Sequence, residues 1–316
     1  MMQLYKYSDY LGLEYFDNPT IILSIPSTLN DPFESNLSED IIRHILKKFK
    51  DKTRLEKQIK DTFTDYLELT GIVSLSETSR NLLMWSHYAK HHKGMCIGIA
   101  KDFLNHKSNL QYTFAKDFKI TSSAEPKKVN YDNKRFEENE HEELDLKQLI
   151  NGEAIDNYLH KHLMIKGDEW IYEKEHRSII PLSFSDGVKD INLTENHKIK
   201  DLLEVMVKLN EVDTYKDSGT YFFKEQKKAV DFATLACNYR YDKANGIIFL
   251  LRIKPEHILT LHFGHRFDDQ EINKVITKIS APEHKLNHVK VFKKKISNTR
   301  FELEAEQLYP PKNRAE

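Results

Sequence analysis

Apolar positions along the chain follow two spacings, and each spacing predicts a different kind of element. From Ser38 to about Leu69 they recur every three or four residues, which predicts two helices with a break near residues 51–53. Short runs of β-branched and aromatic residues predict strands instead. We expect strands at Tyr5–Tyr7, Thr20–Ile25, Gly71–Ser76, Met95–Ile99, Ile247–Ile253 and Ile258–Gly264, with closing strands at His288–Phe292 and Arg300–Leu303. The first two of these are expected to pair with each other.

Turn and charge signals complete the predicted layout. A short helix over Leu82–Lys90 is expected to close on Gly94 in the left-handed conformation. Asp268–Ser280 has the pattern of an amphipathic helix. The segment from Glu125 to Gln148 is rich in charge and poor in apolar residues, which predicts an exposed insertion around residues 125–150. We interpret residues 1–316 as a single elaborated domain.

Composition and charge restrict the class of protein. Lysine and arginine number 48 against 49 acidic residues, so the net charge of -1 argues against a globally basic nucleic-acid clamp. Cys96 and Cys237 lie in apolar surroundings without metal-binding spacing, which predicts buried free thiols and a reducing compartment. No signal-peptide core and no apolar run of about 18 residues is present. We therefore expect a cytoplasmic protein without a membrane partner.

The richest stretch for chemistry is Asp168–Ile180, which has the pattern of one continuous strand. Side chains alternate along a strand, so Glu173, Glu175 and Arg177 are expected to share one face. Tyr172 is then expected on the opposite face. The structural alternative is a cross-strand ion network on a half-solvated sheet.

Other residues allow weaker hypotheses about a site. His87 and His91 are four residues apart, but no third metal ligand is fixed by spacing, and we predict no metal site. Trp85 and Tyr88 are expected either to line a cleft or to pack in the core. No nucleophile elbow is present. A nuclease stays open, because scattered acids have the oxygen ligands that Mg²⁺ prefers: Asp31, Glu34, Glu173 and Glu175.

Three motifs together resemble a large uncharacterised bacterial domain family. They are Asn30-Asp31-Pro32-Phe33, Met84-Trp85-Ser86-His87-Tyr88-Ala89 and Trp170-Ile171-Tyr172-Glu173-Lys174-Glu175-His176-Arg177. The resemblance covers most of the chain except the charged segment, and it implies no activity.

More remotely, the order of elements resembles ADP-ribosyltransferase toxins. That resemblance implies an α+β fold, with a split mixed or antiparallel sheet and flanking helices. It also implies NAD as substrate and Glu175 as the catalytic glutamate, preceded by the acid Glu173. Tyr5 or Lys6 would occupy the first-strand position, where lysine replaces the usual arginine or histidine, and Ser24 or Ser27 the second-strand position. Other NAD contacts are expected from Trp85, His87, Tyr88, Lys93 and Arg177.

The leading hypothesis is therefore an NAD-dependent ADP-ribosyltransferase that acts as a toxin or phage-defence effector. Its target would be a macromolecule, with RNA or other nucleic acid slightly preferred over protein, and an antitoxin or defence-system partner would accompany it. The first alternative is a non-enzymatic module that binds a nucleotide, a nucleic acid or a protein. The second alternative is the metal-dependent nuclease.

Overall fold

The computed structural model describes residues 2–47, 52–114, 118–137, 153–191, 197–215, 219–238 and 246–310. These residues form an α+β fold in which helices flank mixed and antiparallel sheets. The helices are α1 (Glu39–Leu46), α2 (Lys52–Leu69), α3 (Leu82–Tyr88), α4 (Glu153–Leu163), α5 (His197–Lys208), α6 (Gln226–Asn238) and α7 (Asp269–Ile279). The strands are β1 (Gln3–Ser8), β2 (Thr20–Leu23), β3 (Thr70–Ser76), β4 (Met95–Ala100), β5 (Gln111–Phe114), β6 (Phe118–Thr121), β7 (Ser123–Lys128), β8 (Asn130–Tyr131), β9 (Ile165–Lys166), β10 (Glu175–Pro181), β11 (Gly187–Asp190), β12 (Val212–Tyr215), β13 (Thr220–Phe223), β14 (Ile247–Arg252), β15 (Ile258–Phe263), β16 (Lys290–Ile296) and β17 (Leu303–Tyr309).

The strands are divided between two main sheets. Within the described ranges, the larger sheet has the order β17-β16-β15-β4-β1-β3-β10-β7, and the smaller sheet has the order β12-β13-β11-β14-β2. The pair β15–β16 is parallel, whereas the other pairs in these two sheets are antiparallel. Many partners are far apart in the chain, as when β2 pairs with β14. The main hydrophobic core contains buried residues from both sheets and from α5, α6 and α7.

Most predicted elements are present, and several begin where the local chemistry requires. Ser38 caps α1 by accepting a hydrogen bond from the Asp40 N–H at 3.3 Å. Asp268 caps α7 by accepting from Gln270 and Glu271, as expected for an amphipathic helix that starts after an acidic residue. The two helices predicted between Ser38 and Leu69 are confirmed as α1 and α2.

The predicted pairing of the first two strands is wrong. β1 lies in the larger sheet between β3 and β4, whereas β2 joins β14 in the smaller sheet. Strands that are neighbours in a sequence usually pair, but here each strand pairs with strands from other parts of the chain. This exchange separates the two sheets and creates the opening described below.

The predicted role of Gly94 is also wrong. Lys90, His91 and His92 carry the positive φ angles after α3, at 46°, 53° and 68°. Gly94 is needed instead for close approach, since a Cβ atom there would lie 2.3 Å from the Ser8 carbonyl oxygen. The turn therefore packs directly against the end of β1.

The predicted insertion begins too early. Ser123–Lys128 forms β7, which pairs with β10 at the edge of the larger sheet. Pro126 is tolerated in this strand because β7 lies at the edge of the sheet, where one side of the strand forms no ladder hydrogen bonds. Residues 138–150, the second half of the predicted insertion, lie outside the described residues.

Two further expectations concern cysteine and the membrane. Cys96 is a fully buried free cysteine, and burial raises the pKa of its thiol, as expected for an inert core residue. The side chain of Cys237 lies outside the described part of the chain. In the described residues, no helix has the length and apolar character needed to cross a bilayer.

Candidate active site

A gap between β1 and β3 creates the candidate site. These strands pair at Tyr5 and Ser76 and then separate. Ile72, which precedes Ser76 on β3, instead pairs with Ser24 at the end of β2 through N–H···O bonds of 2.9 and 2.7 Å. Between them, the Lys6 ammonium donates to the Ser74 carbonyl at 3.0 Å. The edge of β3 is thus shared by both sheets, with a lysine across the opening.

A cavity of about 200 Å³ lies at this opening, and we call it the Glu175 cavity. Five parts of the described chain supply its walls: β1, the end of β2 with the following loop, β3, α3, and the segment from β9 to β10. Seven of the predicted site residues line it, namely Tyr5, Lys6, Ser24, Tyr88, Glu173, Glu175 and Arg177. The cavity is smaller than the roughly 300–1,000 Å³ typical of drug-sized ligands, so it would enclose only part of a dinucleotide.

The predicted continuous strand through both glutamates is wrong. Residues Asp168–Glu173 form a 3₁₀ helix, Lys174 adopts a left-handed conformation with φ of 47°, and the strand starts at Glu175. The Ser76 hydroxyl donates to the Glu173 carbonyl at 2.7 Å, and the Asn81 amide donates to the Tyr172 carbonyl. These contacts hold the helical turn against β3, which local sequence patterns do not reveal.

The two carboxylates nevertheless converge, because one cation lies between them. The Lys166 ammonium donates to Glu173 at 2.7 Å and to Glu175 at 3.3 Å, and it lies 3.5 Å from Glu34. Arg177 binds Glu175 with two hydrogen bonds, from Nε at 2.8 Å and Nη2 at 2.9 Å. Its Nη2 also donates to Glu34. We call Glu34, Lys166, Glu173, Glu175 and Arg177 the buried charge cluster.

Every member of the buried charge cluster is nearly inaccessible to solvent, between 1% and 6% exposed. Isolated charges at such depth would be very unfavourable, so each must be compensated by its neighbours. Burial would raise the pKa of Glu175, but Arg177 and Lys166 outweigh that effect and lower it to about 2. Glu175 is therefore ionised at neutral pH inside a largely dry site.

Glu34 is less well compensated than Glu175. Burial raises the pKa of its carboxyl above the usual range, although Arg177 and Lys166 oppose the shift. Its Oε2 atom is buried and has no hydrogen-bond partner among the described residues. Glu34 does not line the Glu175 cavity, so it supports the site from behind.

Two tyrosines fix the orientation of the glutamates. The Tyr88 hydroxyl donates to Glu173 Oε1 and accepts a 3.0 Å hydrogen bond from the Asn30 amide. Burial, reinforced by Glu173, raises the pKa of Tyr88, so its proton is retained. On the other side, the Glu175 N–H donates to the Tyr131 hydroxyl at 2.8 Å.

Four predicted site residues lie outside the walls of the Glu175 cavity: Ser27, Trp85, His87 and Lys93. Trp85 is fully buried in a separate cluster, and its indole N–H donates to the Ser79 carbonyl at 2.8 Å. Of the two positions expected for Trp85, a cleft wall or the core, the structure supports the core. His87 and Lys93 are exposed near α3, and Ser27 is exposed after β2.

Lys166 and Tyr131 are the main site residues that the sequence analysis missed. They lie on short paired strands, where Tyr131 of β8 is opposite Lys166 of β9. A lone lysine between a helix and a glycine, as in Met164-Ile165-Lys166-Gly167, gives no signal that it will be buried. Its position depends on three carboxylates that arrive from other parts of the chain.

The geometry does not favour the two metal-binding hypotheses, which are a site at His87 and His91 and a Mg²⁺ site formed by the acids. Glu34, Glu173 and Glu175 do converge, but the Lys166 ammonium occupies the position between them. Asp31 instead accepts a 2.9 Å hydrogen bond from the Phe33 N–H. α3 ends at Tyr88, so His87 and His91 do not share a helical face. Among the described residues, no group of three or more His, Cys, Asp or Glu side chains is arranged so that it could hold a metal ion.

Comparison with known proteins adds a partial family match. Residues 84–178 match the sequence model of a family described as "Protein of unknown function (DUF2971)". The resemblance to an uncharacterised domain family is confirmed over this segment. It starts at Met84, contains Tyr88, Lys166 and Glu175, and spans the stretch we expected to be an insertion. Neither the curated proteins nor the solved structures contain a match.

Proposed function

We propose that this protein is an NAD⁺-dependent ADP-ribosyltransferase and that Glu175 is its catalytic glutamate. The observation that carries the proposal is the meeting of three strand positions at one cavity. Tyr5 and Lys6 come from β1, Ser24 from the end of β2, and Glu175 from the start of β10. Their order in the chain and their separate strands agree with the resemblance noted from the sequence.

The electrostatics of the Glu175 cavity suit cleavage of a glycosidic bond. When the bond between C1′ of ribose and nicotinamide breaks, nicotinamide leaves with the electron pair and positive charge develops on the sugar. A fixed, ionised carboxylate stabilises such charge without reorganisation. Glu175 meets this requirement because Arg177 and Lys166 lower the pKa of its carboxyl. The remaining cavity walls provide hydroxyl groups from Ser24, Ser74 and Ser76.

Glu173 has a separate role in the proposed reaction. The acceptor forms a new bond to C1′ with its own electron pair, and its proton must then be removed. Glu173 is positioned to accept that proton, because Tyr88 and Lys166 hold its carboxylate beside Glu175 at the cavity wall. Lys6 lies at the sheet opening and supplies positive charge for the phosphates of NAD⁺.

The acceptor in this proposal is a macromolecule, with RNA or another nucleic acid preferred over protein. Tyr172 lies outside the cavity, with its ring centroid 6.2 Å from those of His87 and Trp170, and offers a stacking surface for a base. A role as a toxin or phage-defence effector, with a neutralising partner, belongs to the same proposal.

One observation favours a second candidate function. Both oxygens of Glu175 already accept hydrogen bonds from Arg177, and Oε2 also accepts one from Lys166. A carboxylate this fully occupied serves equally well as a structural anchor. The second candidate is therefore a non-enzymatic module that binds a nucleotide at the Glu175 cavity.

The test compares two glutamates of the same cluster. Glu175→Gln and Glu34→Gln each remove one carboxylate charge that pairs with Arg177 and Lys166, but only Glu175 lines the cavity. The proteins are incubated with radiolabelled NAD⁺ and a bacterial lysate, which is then digested with RNase, DNase or protease. Nicotinamide release is measured in parallel, and thermal unfolding reports whether each variant is folded.

We expect label transfer by the wild type and by Glu34→Gln. Glu175→Gln should lose at least about 100-fold, the scale expected when a group that stabilises transition-state charge is removed. The digestion that removes the label identifies the target class. If Glu175→Gln matched Glu34→Gln, or if the wild type released no nicotinamide, the transferase proposal would be rejected and the binding module preferred.

A further inference from the structure

A second and larger cavity lies between the two sheets, next to the Glu175 cavity. Its volume is about 560 Å³, within the usual range for small-molecule sites. We call it the inter-sheet cavity. One wall is formed by Ile97 and Ile99 of β4 with Lys6 and Ser8 of β1, and the facing wall belongs to the smaller sheet. Lys6 borders both cavities.

The facing wall is one continuous face of the smaller sheet. Ile22 is paired with Leu250, Leu250 with Gly187, and Gly187 with Phe222, so these residues form one row across four strands. A second row contains Ile248, Lys189 and Thr220. The opposite face of the same sheet packs into the hydrophobic core through residues such as Leu23, Phe249 and Leu251.

Gly187 leaves the centre of this wall without a side chain. A Cβ atom there would lie 2.4 Å from the Tyr221 carbonyl oxygen and 2.7 Å from the Phe222 ring, so glycine is required. The Phe222 ring therefore covers this position of the row, and Gly187 is not one of the described residues that line the inter-sheet cavity. Apolar groups at the cavity remain exposed, including Ile22 at 38%, Leu11 at 43% and Ile191 at 54%.

The charged groups at the inter-sheet cavity are mostly positive. Lys6 and Lys189 line it, against one acid, Glu14, among the described residues. The Lys189 side chain is exposed and forms no hydrogen bond or ion pair with any other described residue. A ligand with an apolar chain and one negative charge would cover the exposed apolar wall and pair with the Lys189 ammonium.

We propose that the inter-sheet cavity binds a medium-chain carboxylate, with its aliphatic chain between the two sheets and its carboxylate at Lys189. The proposal is independent of NAD⁺ and of Glu175. It rests on the apolar row from Ile22 to Phe222, on the isoleucines of β4 that face it, and on the excess of cationic groups.

Calorimetric titration with a homologous series tests this assignment. Hexanoate, octanoate and decanoate should bind with affinity that rises about tenfold for each two added methylenes, until the cavity is filled. Octylammonium has the same chain with the opposite charge, and we expect it to bind at least tenfold more weakly than octanoate. Absence of octanoate binding at millimolar concentration, or equal binding of the two octyl ligands, would overturn the proposal.

Two pairs of variants locate the ligand. Lys189→Met should weaken octanoate binding about tenfold and leave octanol binding within twofold. The control is Lys290→Met, which replaces an exposed lysine outside the cavity and should change the binding of neither ligand. Ile22→Trp should weaken both ligands by filling the cavity, and Ile296→Trp, at a residue 65% exposed on β16, should not. Unchanged binding in both Lys189→Met and Ile22→Trp would place the ligand elsewhere and reject the site.

Discussion

Arg177 and Glu175 are two residues apart on β10 and are joined by a two-pronged ion pair. Arg177 donates from Nε and Nη2 to the two carboxylate oxygens of Glu175, at 2.8 and 2.9 Å. The same guanidinium donates to the Leu163 carbonyl at 2.7 Å and to Glu34, which is 143 residues away in the chain. One arginine therefore connects the candidate catalytic glutamate to the end of α4 and to the loop after β2.

The first prediction concerns the stability of this pair. Arg177→Met should reduce the free energy of unfolding by about 3–5 kcal/mol, because it leaves two buried carboxylates with only Lys166 for compensation. Urea unfolding measures the change. Lys101→Met breaks the exposed ion pair with Glu125 and serves as the control, with an expected loss of about 0–1 kcal/mol. Equal losses in the two variants would contradict the assigned compensation.

Burial also determines how Glu175→Gln affects stability. Because Glu175 is only 4% exposed and paired with two cations, we expect this variant to be destabilised as well. Glu34→Gln is the appropriate reference for activity, since it removes charge from the same cluster.

The second prediction concerns pH. The pKa of Glu175 falls from its usual 4.5 to about 2 in the folded protein, so the unfolded chain takes up this proton first as acid is added. The stabilisation is present above pH 4.5 and is lost as pH falls towards 2, amounting to about 3 kcal/mol. Unfolding free energies measured between pH 2 and pH 7 should depend less steeply on pH in Glu175→Gln than in the wild type.

Glu34 provides the opposite case in the same experiment. Burial raises the pKa of its carboxyl, so the folded protein binds this proton more tightly and protonation favours the folded state as pH falls. Glu34→Gln should therefore make the loss of stability in acid steeper, not shallower. The same change of slope in both variants would show that these glutamates are not shifted in opposite directions.

The third prediction concerns the hydroxyl of Tyr88. Tyr88→Phe removes a hydrogen bond to the Glu173 carboxylate and leaves the Asn30 amide without its acceptor. Loss of a hydrogen bond to a charged group costs about 1.5–3 kcal/mol, and Glu173 is proposed to accept the proton of the acceptor, so label transfer should fall about tenfold or more. Steady-state kinetics with NAD⁺ would separate the effect on kcat from that on KM. Tyr172→Phe, outside the cavity walls, should retain wild-type rates.

The fourth prediction concerns the turn after α3. Gly94→Ala should destabilise the protein by about 1–3 kcal/mol, because the added methyl group meets the Ser8 and Ala89 backbones at 2.3 and 2.9 Å. Gly167→Ala is the matched control, since its methyl group would meet the flexible Glu169 carboxylate at 3.2 Å and Trp170 at an ordinary contact distance of 3.9 Å. Thermal unfolding of the two variants measures the difference, and equal midpoints would argue against the tight packing of β1 on this turn.

Local sequence patterns predict where most helices and strands lie, but they do not predict which strands pair with each other. The apolar spacing of residues 38–69 and the β-branched run at Ile247–Ile253 depend only on neighbouring residues, and both predictions are confirmed. The pairing of β2 with β14 depends on residues more than two hundred positions apart. Local patterns do not predict the 3₁₀ helix before Glu175, because the side chains of Ser76 and Asn81, on distant elements, hold its carbonyl groups in place.

The sequence by itself determined the α+β composition, the alternation that places Glu175 and Arg177 on one side of β10, and the residue types of the candidate site. Only the tertiary structure decided that Lys166 lies between three carboxylates, that Trp85 belongs to the core, and that the sheet opens between β1 and β3. The physical reason is the range of the interactions. Side-chain periodicity is set by the backbone of a few residues, but the burial of a charge is tolerated only where distant parts of the chain supply its counter-charges.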